Sequence, residues 1–369
     1  MKRTQWVARL VLFFCALYMF LVAIELFGQS SKIVGSDTAS WLLNGVANPF
    51  AGLAVGILAT VLVQSSSVTT SSIVAMVGSG ALPLEYAVPM VMGANVGTSV
   101  TNTVVSLGHV TRDSEFRRAF AGATVHDIFN LLTVLLLLPL ELCTGFLQKG
   151  AAMLVHPLQG IGGEFHSPIK ASVKLPVLWI CGIMRDTCGL NGGWLSLVLL
   201  IIALVLILGS LYVITKNMRA LMADQIEEWL NSVLRRSGLL GLGIGALATA
   251  AVQSSSITTS LLVPMFGAGV LAIEAGFPIM LGANIGTTIT ALLAATVTGP
   301  AGLSIALIHL LFNLTGTLIL FPIKAIRRIP IYLAQLLAEV ATKNRVWVLV
   351  YTFGVFVLMP VVGILVWKT

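Results

Sequence analysis

Two short polar runs interrupt an otherwise apolar chain: Gln64 to Ser72 reads QSSSVTTSS, and Gln253 to Leu261 reads QSSSITTSL. Each is followed by a second polar motif, GANVGT at Gly93 to Thr98 and GANIGT at Gly282 to Thr287. These residues supply hydroxyls, amides and main-chain oxygens but almost no carboxylates and no Cys/His cluster, which argues against a transition-metal site. Such oxygens are ligands for a hard cation such as sodium, while hydroxyl donors and helix N-termini suit a tetrahedral oxyanion. A neutral cage holding both ions couples them, because each lowers the cost of desolvating the other. An enzyme reading needs a base beside a serine nucleophile, and the candidates are His126 and His309. Two nearly identical sites fit a single catalytic pair poorly, so the chain is not read as an enzyme.

The elements that position these groups belong in a membrane. Of 369 residues, 57% are hydrophobic and 9% charged, against about 25% charged in a soluble domain. A bilayer core needs about 20 apolar residues per helical span. Trp6 to Phe27, Phe120 to Pro139, Trp194 to Thr215, Ala301 to Ile323 and Trp347 to Trp367 meet that length. The first has no cleavage site after it and reads as a retained helix rather than a signal peptide. The net charge of +7 comes from basic residues in short loops, which read as topology signals and not as a nucleic-acid surface.

Gly52 to Thr101 aligns without a gap on Gly241 to Thr290, with about half the positions identical, so one unit was duplicated. The copies realign on helices carrying His-x-x-Phe-Asn: His126, Phe129 and Asn130, then His309, Phe312 and Asn313. Arg112, Arg117 and Arg118 follow the first GANVGT helix, but the counterpart, 298–304, is uncharged. Lys216, Arg219, Arg235 and Arg236 precede the second copy, whereas Lys32 and Asp37 precede the first. The same loop is inside in one copy and outside in the other, which is an inverted repeat, a transporter architecture with its site where the repeats meet. Each QSSS lies where a Gly-rich apolar stretch too short to cross must turn back, so 49–80 and 238–269 read as re-entrant hairpins. The glycines of GAN[VI]GT read as unwound breaks in their helices. The competing reading is that Ser, Thr and Gly serve close helix packing. A membrane histidine beside Asn reads first as a packing hydrogen bond and second as a proton relay, and Asp127 as either a functional carboxylate or a buried bond to its polar neighbours.

The two QSSS runs, GANVGTSVTNT, the EFRRAFAGATVHD run from Glu115 to Asp127 and GANIGTT together resemble the type II sodium-dependent phosphate cotransporters of animal epithelia and bacteria, over nearly the whole chain. The resemblance implies a sodium-coupled phosphate symporter with sodium as coupling ion and no other cofactor. It implies phosphate binding by Ser65, Ser66, Ser67, Ser254, Ser255 and Ser256. Sodium binding would fall on Gln64, Gln253, Asn95, Thr98, Asn284, Thr287 and Thr290. The alternatives are a carrier of another oxyanion or small dicarboxylate, and an ion channel, which hairpins meeting at the midplane disfavour. Animal members carry a long glycosylated loop, whereas 141–193 is shorter and has no Asn-x-Ser/Thr acceptor, which points to a bacterial inner membrane. Electrogenic members use a further acidic residue, to which no residue is assigned here. A related bacterial branch has a C-terminal helical domain that the residues up to Thr369 do not resemble.

The expected fold is an all-α membrane protein of about seven spans plus two hairpins. Residues 1–140 form the first repeat, with broken helix 86–106 and helix 119–139. A periplasmic connecting loop, 141–193, leads to the second repeat, 194–324, with helix 194–215, broken helix 277–297 and helix 301–323. Residues 325–369 form a cytoplasmic amphipathic segment and the final span. The amino terminus is expected in the cytoplasm, and the resemblance leaves monomer and homodimer both open.

Overall fold

A computed structural model describes residues 3–33, 48–159, 168–233 and 238–366. Asp37, Arg235 and Arg236, used above for loop charge, lie outside the described residues. The described residues form helices and no strands. In chain order the helices are α1 (Arg3–Ile33), α2 (Pro49–Val63), α3 (Ser66–Ser79), α4 (Leu84–Gly97), α5 (Val100–Ser106), α6 (Asp113–Thr144), α7 (Phe146–Gln159) and α8 (Pro168–Gly182). They continue as α9 (Gly192–Val233), α10 (Gly238–Val252), α11 (Ser255–Gly267), α12 (Ile273–Thr298), α13 (Pro300–Leu320), α14 (Lys324–Lys343) and α15 (Val346–Val366).

Six of these, α1, α6, α9, α12, α13 and α15, are long and apolar enough to cross a bilayer, so the chain is a multi-pass membrane protein. The seventh expected span is divided at Thr98–Ser99 into α4 and α5. Residues 141–193 carry α7 and α8, packed on α13 and on α1 and α12, where a loop was expected. All four cysteines are free, Cys188 exposed and Cys181 half-buried.

α2 and α10 are 15 residues each, about 22 Å at 1.5 Å per residue and short of the roughly 30 Å core. Both end at a glutamine in the left-handed region, Gln64 at φ 56° and Gln253 at φ 59°, the only non-glycine residues there among those described. The chain then turns into α3 or α11, each opened by a serine N-cap of nearly identical geometry. Ser65 (φ −153°, ψ 107°) accepts from the Val68 N–H, and Ser254 (φ −152°, ψ 108°) from the Ile257 N–H.

The expected break at the second GAN[VI]GT does not occur. α12 runs unbroken from Ile273 to Thr298. In both copies, whether the helix is divided or not, backbone of the neighbouring helix lies directly across from the glycines. A methyl group on Gly93 would sit 2.1 Å from the Leu53 carbonyl oxygen, and on Gly282 2.0 Å from that of Leu242. Reciprocally, a methyl on Gly56 would meet the Met90 carbonyl at 2.0 Å, and on Gly245 that of Ile279 at 2.0 Å. Gly97 and Gly286, one turn on, press against Thr60 and Thr249 in the same way. The paired glycines are contact surfaces that let α4 lie against α2, and α12 against α10, backbone to backbone.

α3 and α11 are each clasped by the other copy. α3 packs against α12 and α13, and α11 packs against α6 and α5. Gly78 and Gly302 close on Thr298 in the first contact, and Gly122 closes on the ring of Phe266 in the second. Gly282→Ala is therefore expected to destabilise the protein by about 1–3 kcal/mol through overpacking. Gly209→Ala, where nothing lies within 4 Å of the added methyl, leaves the melting temperature unchanged or raises it. Thermal melts of the two variants in detergent check this pair of outcomes.

Candidate functional site

At the turns between α2 and α3 and between α10 and α11, each glutamine does two jobs. The Gln64 amide N–H donates to the Val61 carbonyl (2.6 Å) while Oε1 accepts from the Thr101 hydroxyl (3.2 Å). Gln253 donates to the Ala250 carbonyl and accepts from Thr290 (2.8 Å). The side chain thus replaces the helix C-cap that glycine normally provides and ties each tip to α5 or α12. Thr290 was among the sequence candidates, but Thr101 was not. Thr101 occupies the matching place in the first copy, so the repeat alignment carried that signal.

The tips meet. The Ser67 hydroxyl donates to the Gln253 carbonyl at 3.4 Å, placing the N-terminal turn of α3 against the C-terminal end of α10. Ser66, Ser67 and Ser255 are buried, Ser65, Ser254 and Ser256 partly so. The tips differ in access, since Gln64 is exposed and Gln253 buried. Each turn pairs the carbonyl-rich end of one helix with the N–H-rich start of the next. The first favours a cation and the second an anion.

Asn95 and Asn284 are drawn elsewhere. His126 Nε2 lies 2.6 Å from Asn284 Oδ1, and the Asn284 amide donates to Asn130 Oδ1 at 2.7 Å. His126 and Asn130 belong to the first copy and Asn284 to the second. The reverse pairing completes the exchange: His309 Nε2 lies 3.3 Å from Asn95 Oδ1, which also accepts from Asn313 at 3.2 Å. Because an amide oxygen can only accept, both imidazoles carry their proton on Nε2. Ser99 then donates to His126 Nδ1 at 3.2 Å. All of these groups except Ser99 were visible in the sequence as motif residues, but their crossed pairing was not. The two locks differ. Asn95 turns its own amide to the Val91 carbonyl, leaving Asn313 Oδ1 and His309 Nδ1 unpartnered.

Thr98 and Thr287 are buried and donate to carbonyls one turn back, Ala94 and Ala283, so their lone pairs remain for a cation. Asp127, fully buried, accepts from the Tyr351 hydroxyl at 2.9 Å through Oδ2, and its Oδ1 has no partner. Tyr351 lies on the last span, where no sequence signal marked it. The copies are stitched once more by the Thr259 hydroxyl donating to Asn102 Oδ1 at 3.0 Å. No group of three or more His, Cys, Asp or Glu residues that could hold a metal occurs among the described residues.

A profile of the Na+/Pi-cotransporter family matches residues 19–147 and 206–342, well over half of the chain and including both QSSS turns. The chain belongs to the Na+/Pi-cotransporter family. It is 35% identical to sodium-dependent phosphate transport protein 2A of Rattus norvegicus over 93% of its length, and 33% identical to sodium-dependent phosphate transport protein 2B of Homo sapiens over 96%. In both cases it spans 65% of the relative's length. No solved structure matches.

The crossed locks generate a prediction. His126→Ala and Asn284→Ala should each destabilise the fold, and together cost less than the sum of the two, with a coupling of about 0.6 kcal/mol and at most about 1.7 kcal/mol, the average and upper value for hydrogen bonds inside membranes. Denaturing-detergent titration of the two single variants and the double variant measures it. Strict additivity would show that the contact carries no energy.

Proposed function

We propose that the protein is a sodium-coupled symporter that brings inorganic phosphate across a bacterial cell membrane by alternating access. The observation that carries this reading is the pair of glutamines held at positive φ, one in each copy, at turns that touch through Ser67. A non-glycine residue in that region costs on the order of 1–3 kcal/mol and persists where function requires it. In this reading the two repeats are related by inversion, 49–80 and 238–269 are re-entrant hairpins, and the tips meet near the midplane.

Phosphate is held by Ser65, Ser66, Ser67, Ser254, Ser255 and Ser256, through hydroxyls and the first N–H groups of α3 and α11. Gln64, Gln253, Thr98, Thr287 and Thr290 supply oxygens to sodium, joined by Thr101. Asn95 and Asn284 contribute only the lone pairs their crossed hydrogen bonds leave over, and otherwise hold the frame. Asp127 is the carboxylate best suited to a further cation, since one of its oxygens is buried without a donor. The amino terminus and Arg117 and Arg118 face the cytoplasm, and Cys188 faces outward. The similarity to sodium-dependent phosphate transport proteins 2A and 2B supports the substrate and the coupling ion.

Radiolabelled phosphate uptake into proteoliposomes should follow an imposed inward sodium gradient and not a potassium or proton gradient. Ser65→Ala and Ser254→Ala should each weaken apparent phosphate affinity roughly 10–150-fold, the equivalent of about 1.5–3 kcal/mol for a hydrogen bond to a charged group, with insertion intact. Wild-type affinity in both variants would remove the serines from the site. Orientation is checked separately with a membrane-impermeant thiol reagent. Cys188 should label in intact cells, and labelling confined to inverted vesicles would reverse the topology.

A further inference from the structure

α14 follows span α13 after three residues and leads into span α15 after two, so its ends are tied to two membrane-crossing helices on one face of the bilayer. At 20 residues it is about 30 Å long. It carries Lys324, Arg327, Arg328, Glu339 and Lys343, which suits the membrane surface and not the hydrocarbon core. One face is buried against α6 through Pro330, Ile331, Ala334, Ala338 and Ala341. A second apolar stripe, Ile329, Leu333, Leu336 and Val340, recurs every three to four residues and is exposed.

The charges along this face sort into two groups. Arg117 pairs with Glu339, Arg345 with Asp113 at 2.6 Å and Arg112 with Glu115 at 2.7 Å. Arg118 donates to the Phe266 and Gly267 carbonyls. Lys324, Arg327 and Arg328, on the first turns of α14, have no carboxylate partner among the described residues, and Arg327 rests over the Phe321 ring, 5.0 Å from its centroid. Beside them opens a cavity of about 450 Å³ lined by Arg328, Ile329, Tyr332, Leu333, Gln335 and Glu274. Its wall combines charged and polar groups with apolar ones.

We propose that this cavity and the first turns of α14 bind the headgroup of an anionic phospholipid. The phosphodiester meets Arg328, Arg327 and Lys324. Glu274 and Gln335 accept from headgroup hydroxyls, and the glycerol and acyl stems lie along Ile329, Tyr332 and Leu333. The amphiphilic wall selects a lipid over a free ion, because a free anion gains nothing from the apolar groups. The unpaired basic turn, next to paired neighbours, selects an anionic lipid over a neutral one.

Native mass spectrometry of the purified full chain, incubated with phosphatidylglycerol or phosphatidylcholine, tests this. The wild type should retain phosphatidylglycerol in preference to phosphatidylcholine, and Arg327→Gln and Arg328→Gln should each reduce retention about fivefold. Arg185→Gln, a charge removed from an exposed turn elsewhere, should leave retention unchanged. Millimolar inorganic phosphate should not displace the lipid. If one variant fails to fold, the other and Lys324→Gln carry the test. Equal retention of the two lipids, retention unaffected by the arginine variants, or displacement by free phosphate would each overturn the proposal, the last in favour of a soluble-phosphate site.

Discussion

The crossed hydrogen bonds between the His-x-x-Phe-Asn helix of one copy and the Gly-Ala-Asn helix of the other are the interaction on which the remaining structure depends. His126 and Asn130 reach Asn284, and His309 and Asn313 reach Asn95, with every one of these side chains buried. In a membrane interior an unmet polar group has no water to turn to, so separating the copies would strand all of them together. The exchange holds α4 and α12, and through their glycines it holds α2 and α10 and the turns those helices end in. The two locks have the same composition but different wiring. The first is closed by Ser99 and Asn130, while the second leaves an amide oxygen and an imidazole nitrogen unpartnered. That difference parallels the difference in access at the tips, where Gln64 is exposed and Gln253 buried.

With the frame fixed, the turns can hold a strained backbone. Gln64 and Gln253 replace the glycine a helix terminus would ordinarily use, and each converts the exchange into a side-chain clamp on its own helix end and on a threonine opposite. The turn sets carbonyl ends beside N–H ends within a few residues. In the proposed transport cycle this gives sodium and phosphate adjoining positions, with opposite local potentials and no need for a formal protein charge at the tips.

Much of the candidate site was legible in the sequence because duplication marked it. Gln64 with Gln253, the paired serines and the paired Asn-Gly-Thr motifs were all found by register, though not that Ser65 and Ser254 cap helices, and Thr101 could have been found by carrying Thr290 back to the first copy. The all-α membrane fold followed from composition and span length. What misled was glycine. In GAN[VI]GT it was read as a backbone breaker, which holds at Thr98–Ser99 in the first copy but not in α12, and no local pattern marks the carbonyls of Leu53 and Leu242 that make it a contact surface in both. The histidines were read first as packing groups and second as a proton relay, and each does meet a buried asparagine, but which asparagine is a tertiary fact. Tyr351 on Asp127 likewise joins two positions that no local pattern relates. Residues 141–193, with several Gly and Pro, read as a loop because α7 and α8 take their order from the helices they lie against.

If a neutral cage holds sodium and phosphate in mutual dependence, as proposed, the binding of the two ions is thermodynamically linked. Isothermal calorimetry on protein in nanodiscs can measure phosphate affinity at zero and saturating sodium, and sodium affinity at zero and saturating phosphate. The account predicts equal factors in both directions, roughly 5–150-fold, corresponding to a coupling of about 1–3 kcal/mol. Phosphate binding that is indifferent to sodium would contradict it.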